Sequence, residues 1–195
     1  MPATRAALGF KLHTGWAAVV VAGRTRGHVD VLLRKRIELL PSDGSVPRFV
    51  YHQAAELPLA EARKLVKRTA RSAQETAGAA LAELLQELRS GAVSIDAAGV
   101  TIGSVAVPSD LPAILAAHTL IHSAEGVLFQ EAVAGACEAR GMEVVRVREK
   151  DLWPKLGAGV RAEVDSLRSL IGPPWGTDQK TATAAALVSL NSHSA

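Results

Sequence analysis

His118, His122 and Glu125 stand at i, i+4 and i+7, a spacing that sets three side chains on nearly one side of a helix. Two imidazoles and a carboxylate so arranged are a donor set for a divalent metal, and these three residues are the candidate metal ligands. Leu115, Phe129 and Ala132 lie near the same stripe, so the competing reading is a pair of partly buried histidines satisfied by hydrogen bonds. The spacing matches no zincin signature. Other titratable groups fall at the ends of elements: His13 in a corner after the first strand, His52 with Glu56 after a short strand at 49–52, Asp178 after Thr177, and Lys180 beyond it. Histidines at strand ends often contribute to sites in open sheets. Asp178 also reads simply as a first-turn acid that suits a helix dipole. The candidate catalytic set is His13, His122, Glu125, Asp178, Lys11 and Lys180, with no role fixed by sequence.

Basic residues cluster in three places: Arg34, Lys35 and Arg36; Arg63, Lys64, Lys67, Arg68 and Arg71; and Arg146, Arg148 and Lys150. Such clusters neutralise phosphates, and Arg34, Arg36, Arg63, Lys64, Lys67, Arg68 and Arg71 are the candidate nucleic-acid contacts. The formal net charge is only +3, so a solvated face that keeps the protein in solution is the alternative. Aromatic residues are 4 % of the chain, too few for a surface that grips single strands by stacking.

These groups must be held by one core. A chain of 195 residues fits a single domain, 1–195. Its apolar share of 48 % and charged share of 21 % exclude a disordered or fibrous protein. The lone Cys137, in an alanine-rich apolar segment, reads as a small core residue in a reducing compartment. No leader pattern and no apolar run long enough for a membrane span are visible, so the expectation is a cytoplasmic protein without membrane contact.

The apolar runs define the elements. Residues 8–21 read as a strand, a polar corner and a continuation. Residues 29–37 form the next strand across a glycine-bounded turn at 23–27, pairing antiparallel. After a Pro-Ser-Asp-Gly turn at 41–44, Phe49, Val50, Tyr51 and His52 predict a short third strand. Apolar positions recurring every three or four residues predict one long amphipathic helix over 58–89, with Pro58 at its start and Gly91 as its stop. A buried strand over 98–107 follows. A helix capped by Ser109 or Asp110 then runs to Arg140, and a strand covers 142–147. Helices over 160–170 and 178–190 flank a rigid Gly-Pro-Pro-Trp-Gly turn at 172–176. Trp16 and Trp175 read as packing residues. Strands followed singly by helices imply a mixed sheet with parallel members.

In this order the chain resembles the RNase H-like fold, and within it the RuvC-type Holliday-junction resolvases. The resemblance is carried by residues 8–11 and 14–19, by the helix and strand around 122–132 and 143–147, and by 178–188. It implies an α/β architecture: a mixed five-stranded sheet, first three strands antiparallel, flanked by helices. The family cuts branched DNA with divalent metals held by acids on the first strand, the fourth strand and the last helix, because two hard cations must bridge attacking water and leaving oxygen. Here the first-strand position is Lys11, the fourth strand offers Gly103 and Ser104, and the last helix offers Asp178. An ammonium group repels a divalent cation, so the resemblance implies a fold without the family's metal cluster. Lys11, inside an apolar strand, needs a partner, and Glu125 or Asp178 would serve. The leading expectation is a protein that binds nucleic acid through a basic surface without cutting it. One alternative is a divergent nuclease or hydrolase using His118, His122, Glu125 and Asp178 with a divalent metal, the only cofactor in prospect. The other is an interaction module in which alanine-rich helix faces pair two copies as a homodimer.

Overall fold

The computed structural model describes residues 4–88 and 93–192. Three antiparallel strands come first: β1 (Thr4–His13), β2 (Trp16–Thr25) and β3 (His28–Glu38). Helices α1 (Val50–Ala55) and α2 (Leu59–Leu88) lead to β4 (Val93–Ile102), parallel to β1. Then α3 (Leu111–Leu115) and α4 (His118–Glu138) lead to β5 (Glu143–Arg148), parallel to β4. The chain closes with α5 (Glu149–Leu156), α6 (Val160–Ser166), α7 (Arg168–Ile171) and α8 (Thr177–Ser192). The sheet order is β3-β2-β1-β4-β5.

Strand alternation sorts side chains onto two layers. Ala6, Leu8 and Phe10 of β1, Ala17, Val19 and Val21 of β2, and Ala98 and Val100 of β4 pack against α2 and α4, around Phe129, Leu81 and Leu84. The odd residues of β1, beginning with Ala7, face α8, as do Val20, Ala22 and Ala97. Helix α8 is buried on nearly every side, from Thr181 through Val188. Its alanines allow a near-backbone approach: a Cβ on Gly9 would sit 1.8 Å from the Ala182 carbonyl oxygen, and one on Gly99 2.0 Å from that of Ala185. Two glycines on neighbouring strands thus form the seat of the helix that brings Asp178 to the sheet.

Several element boundaries differ from the sequence reading. The first apolar run is two full strands joined at Thr14–Gly15, and the expected strand at 49–52 is instead the start of α1, with Phe49 preceding its first residue, Val50. The physical cause is tertiary. Glu125 of α4 places Oε1 2.8 Å from the Tyr51 amide and 3.3 Å from the His52 amide, accepting from first-turn N–H groups of α1 that have no partner within the helix. The fourth strand ends at Ile102, so Gly103 to Val107 lie beyond it. The helix expected over 110–140 is broken at Ala116–Ala117, although Asp110 caps its first piece as anticipated, its Oδ2 accepting from the Ala113 amide at 3.2 Å. Likewise 160–170 is two short helices, and α5, with Pro154 inside it, was not foreseen. The stop expected at Gly91 lies outside the described residues. Among the described residues no helix is long and apolar enough to cross a membrane.

Candidate functional site

At the C-terminal end of β1 the side chains facing α8 change from apolar to polar. Lys11 is 17 % exposed and pairs with Glu149, the first residue of α5. Neither partner suggested by sequence is used; Glu125 lies on the opposite layer, beneath α1. Beside Lys11, the buried Thr101 of β4 accepts from the Leu12 amide with its hydroxyl at 3.4 Å. Thr101, rather than Gly103 or Ser104, is therefore the polar β4 residue at this point. His13 Nε2 approaches Asp178 Oδ2 to 3.1 Å, close enough for an ion pair with a protonated ring but out of line for a hydrogen bond. The His13 ring stacks on Trp16 with centroids 4.1 Å apart, and the Arg36 guanidinium lies over the Trp16 ring at 4.0 Å. Lys180 pairs with Asp165 at 2.7 Å. Each acid here already faces a base: Glu149 with Lys11, Asp178 with His13.

The second group forms on the other layer. His118 and His122, one turn apart on α4, bring their Nε2 atoms to 2.9 Å. The third imidazole is His52, edge-on to both, with centroids 5.6 Å from His118 and 4.7 Å from His122. Glu125 supports this group from below. It is almost fully buried, and its Oε1 lies 3.2 Å from His52 Nδ1 as well as accepting from the two α1 amides. Its Oε2 is buried and has no hydrogen-bond partner among the described residues. The Tyr51 phenol is pushed up by burial, with the Glu125 charge adding to the effect. The sequence reading singled out His52 without linking it to α4; no local signal could, since 73 residues separate His52 from Glu125. Among the described residues no hydrogen bond, ion pair or ring contact joins this group to His13 and Asp178.

The basic candidates also divide. Arg34 is committed to backbone, donating to the carbonyls of Ile171 at 2.6 Å, Gly172 at 2.9 Å and Pro173 at 3.2 Å, where it satisfies the end of α7. Arg36 covers Trp16 and bonds Glu38 at 2.7 Å. Arg63, Lys64, Lys67, Arg68 and Arg71 are all exposed on α2, and none enters an ion pair among the described residues. Their spacing aligns them along one side of the helix. By contrast, Arg146 is held by Glu131 at 3.1 Å and Glu138 at 3.0 Å.

The topology and the placement of α8 can be set against known structures. No protein-family model matches the sequence, and no curated protein matches it. Solved structures do match in three dimensions, two of RuvC among them. One is T. thermophilus RuvC in complex with a Holliday junction substrate, at TM-score 0.55 and 15 % identity, covering 94 % of this chain and 91 % of that one. The chain has the RuvC-type RNase H-like fold. The Thermus thermophilus RuvC structure superposes at TM-score 0.52 and 14 % identity over 94 % of this chain and 92 % of the other. Both superpositions extend over 94 % of this chain.

Proposed function

We propose that this RuvC-like domain binds duplex or branched nucleic acid through α2 and does not cut it. The observation that supports binding is the row of five exposed cations on α2 that have no acidic partner among the described residues, on a fold whose structural neighbour was solved with a Holliday junction. Five cations on one side of a helix suit the regular charge spacing of a phosphate backbone, and the energy of such contacts comes from counterion release. Lys11 supports the reading that it does not cut. A divalent cation there would have to displace an ammonium group already paired with Glu149 and would find Thr101 in place of a fourth-strand acid.

The test is a titration of labelled four-way junction and duplex DNA at several salt concentrations. If each α2 cation meets a phosphate, log K falls with log salt at a slope of about −4.5, so binding weakens ~500-fold between 50 and 200 mM. Reversing Lys64, Lys67, Arg68 and Arg71 to Glu abolishes that binding. Equal affinity in the reversed variant, or no binding by the wild type at low salt, refutes the proposal.

A further inference from the structure

The imidazole group on α1 and α4 has the form of a metal site independent of the nucleic-acid reading. One ligand nitrogen from each of His52, His118 and His122 lies within 4.8 Å of the other two. Zinc held by imidazoles at 2.0–2.1 Å in a tetrahedral shell separates its ligand nitrogens by about 3.3 Å. The 2.9 Å between His118 Nε2 and His122 Nε2 is within a few tenths of that span, and the His52 nitrogen, within 4.8 Å of both, closes by at most about 1.5 Å to reach it.

The tautomer of His52 is fixed by its neighbour. Glu125 Oε1 already accepts from the Tyr51 and His52 amides, so the Nδ1 facing it at 3.2 Å must be the donor. That leaves the Nε2 lone pair of the neutral ring directed away from Glu125. A carboxylate holding the far nitrogen of a histidine is the outer-shell arrangement that orients imidazoles for metal. Glu125 is thus a positioning residue, not a ligand. His118 and His122 are exposed and His52 is half-buried, so a fourth coordination position would open to solvent. His122 also lines a cavity of about 340 Å³ that reaches Gly103 and Ser104 beyond β4.

We infer that His52, His118 and His122 bind one divalent transition-metal ion, zinc by the nitrogen-only donor set, with Glu125 orienting His52. The experiment uses the full chain without a histidine tag, stripped with chelator, and titrates Zn²⁺ by calorimetry while following the melting temperature. The expected result is a single equivalent of bound Zn²⁺ and a rise in melting temperature, with no response to Mg²⁺. The double variant His118→Asn, His122→Asn replaces exposed side chains and keeps its circular dichroism, but loses at least about 100-fold in zinc affinity and the thermal response. Glu125→Gln keeps the stoichiometry and weakens binding about 10–100-fold. Failure of the wild type to take up zinc, or equal binding by the double variant, overturns the inference. In that case the 2.9 Å contact is only a hydrogen bond between the two rings.

Discussion

Replacing Gly9 with alanine tests whether α8 really rests on the bare backbone of the sheet. The added Cβ would lie 1.8 Å from the Ala182 oxygen, 2.6 Å from the Ala186 nitrogen and 2.9 Å from the Ala182 carbonyl carbon. All three are backbone atoms of one helix, so no side-chain rotation relieves the overlap. Restoring an ordinary carbon–oxygen contact requires α8 to lift by about 1.5 Å, and a gap of even 0.5–1 Å already forfeits a quarter to a half of each dispersion contact. Overpacking commonly costs 1–3 kcal/mol; with the rest of α8 buried between the sheet and α5, a cost of ~3 kcal/mol or more is expected. At about 2–4 °C per kcal/mol for a chain this size, the melting temperature falls by ~6–12 °C. Calorimetric or circular-dichroism melts read this directly. Gly78→Ala is the control: its Cβ would meet nothing within 4 Å on α2, so the substitution stabilises by up to ~1 kcal/mol through helix propensity. A loss below about 1 kcal/mol for Gly9→Ala would refute the close seating of α8.

Three further outcomes follow from buried or paired groups. Glu125→Ala orphans two α1 amides at about 1–3 kcal/mol each, so urea unfolding shows a large loss, whereas Glu125→Gln keeps an acceptor and loses ~1 kcal/mol; equal effects would deny the capping role. The Cys137 thiol is pushed up to about 12, mainly by burial, so at pH 8 the native thiolate fraction is on the order of 10⁻⁴ and alkylation by iodoacetamide proceeds only on unfolding; rapid native labelling contradicts this. Lys11→Met leaves Glu149, 48 % exposed, able to hydrate, so stability changes by less than ~1 kcal/mol, and a loss above ~3 kcal/mol in urea would show a deeper structural role.

The elements that could be read from sequence are those whose signal is local. Helix α2 repeats its apolar residues every three or four positions over seven turns and more, and β2 and β3 carry the runs Val19–Val21 and Val31–Leu33 between turn residues. Asp110 was legible as a cap for the same reason. Segment 49–52 was misread because its aromatic and β-branched residues favour a strand, while the acid that stabilises α1 comes from α4, 74 residues from Tyr51. The same distance hid His52 from the two histidines it joins. Lys11 stood out as a charge within an apolar strand, yet its partner was not foreseeable, because Glu149 begins a helix that Pro154 and its charged residues disguise. Exposed cations could be counted but not apportioned: Arg34 proved to serve the end of α7, and only the contacts of a folded chain separate it from Lys64 or Arg68.

The most direct test of a binding domain that does not cut is to incubate a labelled four-way junction with the full chain in Mg²⁺, and separately in Mn²⁺, and to resolve the products on a denaturing gel beside a native gel of the same mixtures. A shifted complex on the native gel with intact strands on the denaturing gel is the predicted result. Metal-dependent strand cleavage that disappears on Asp178→Asn would contradict it, since a cation would then be working beside Lys11.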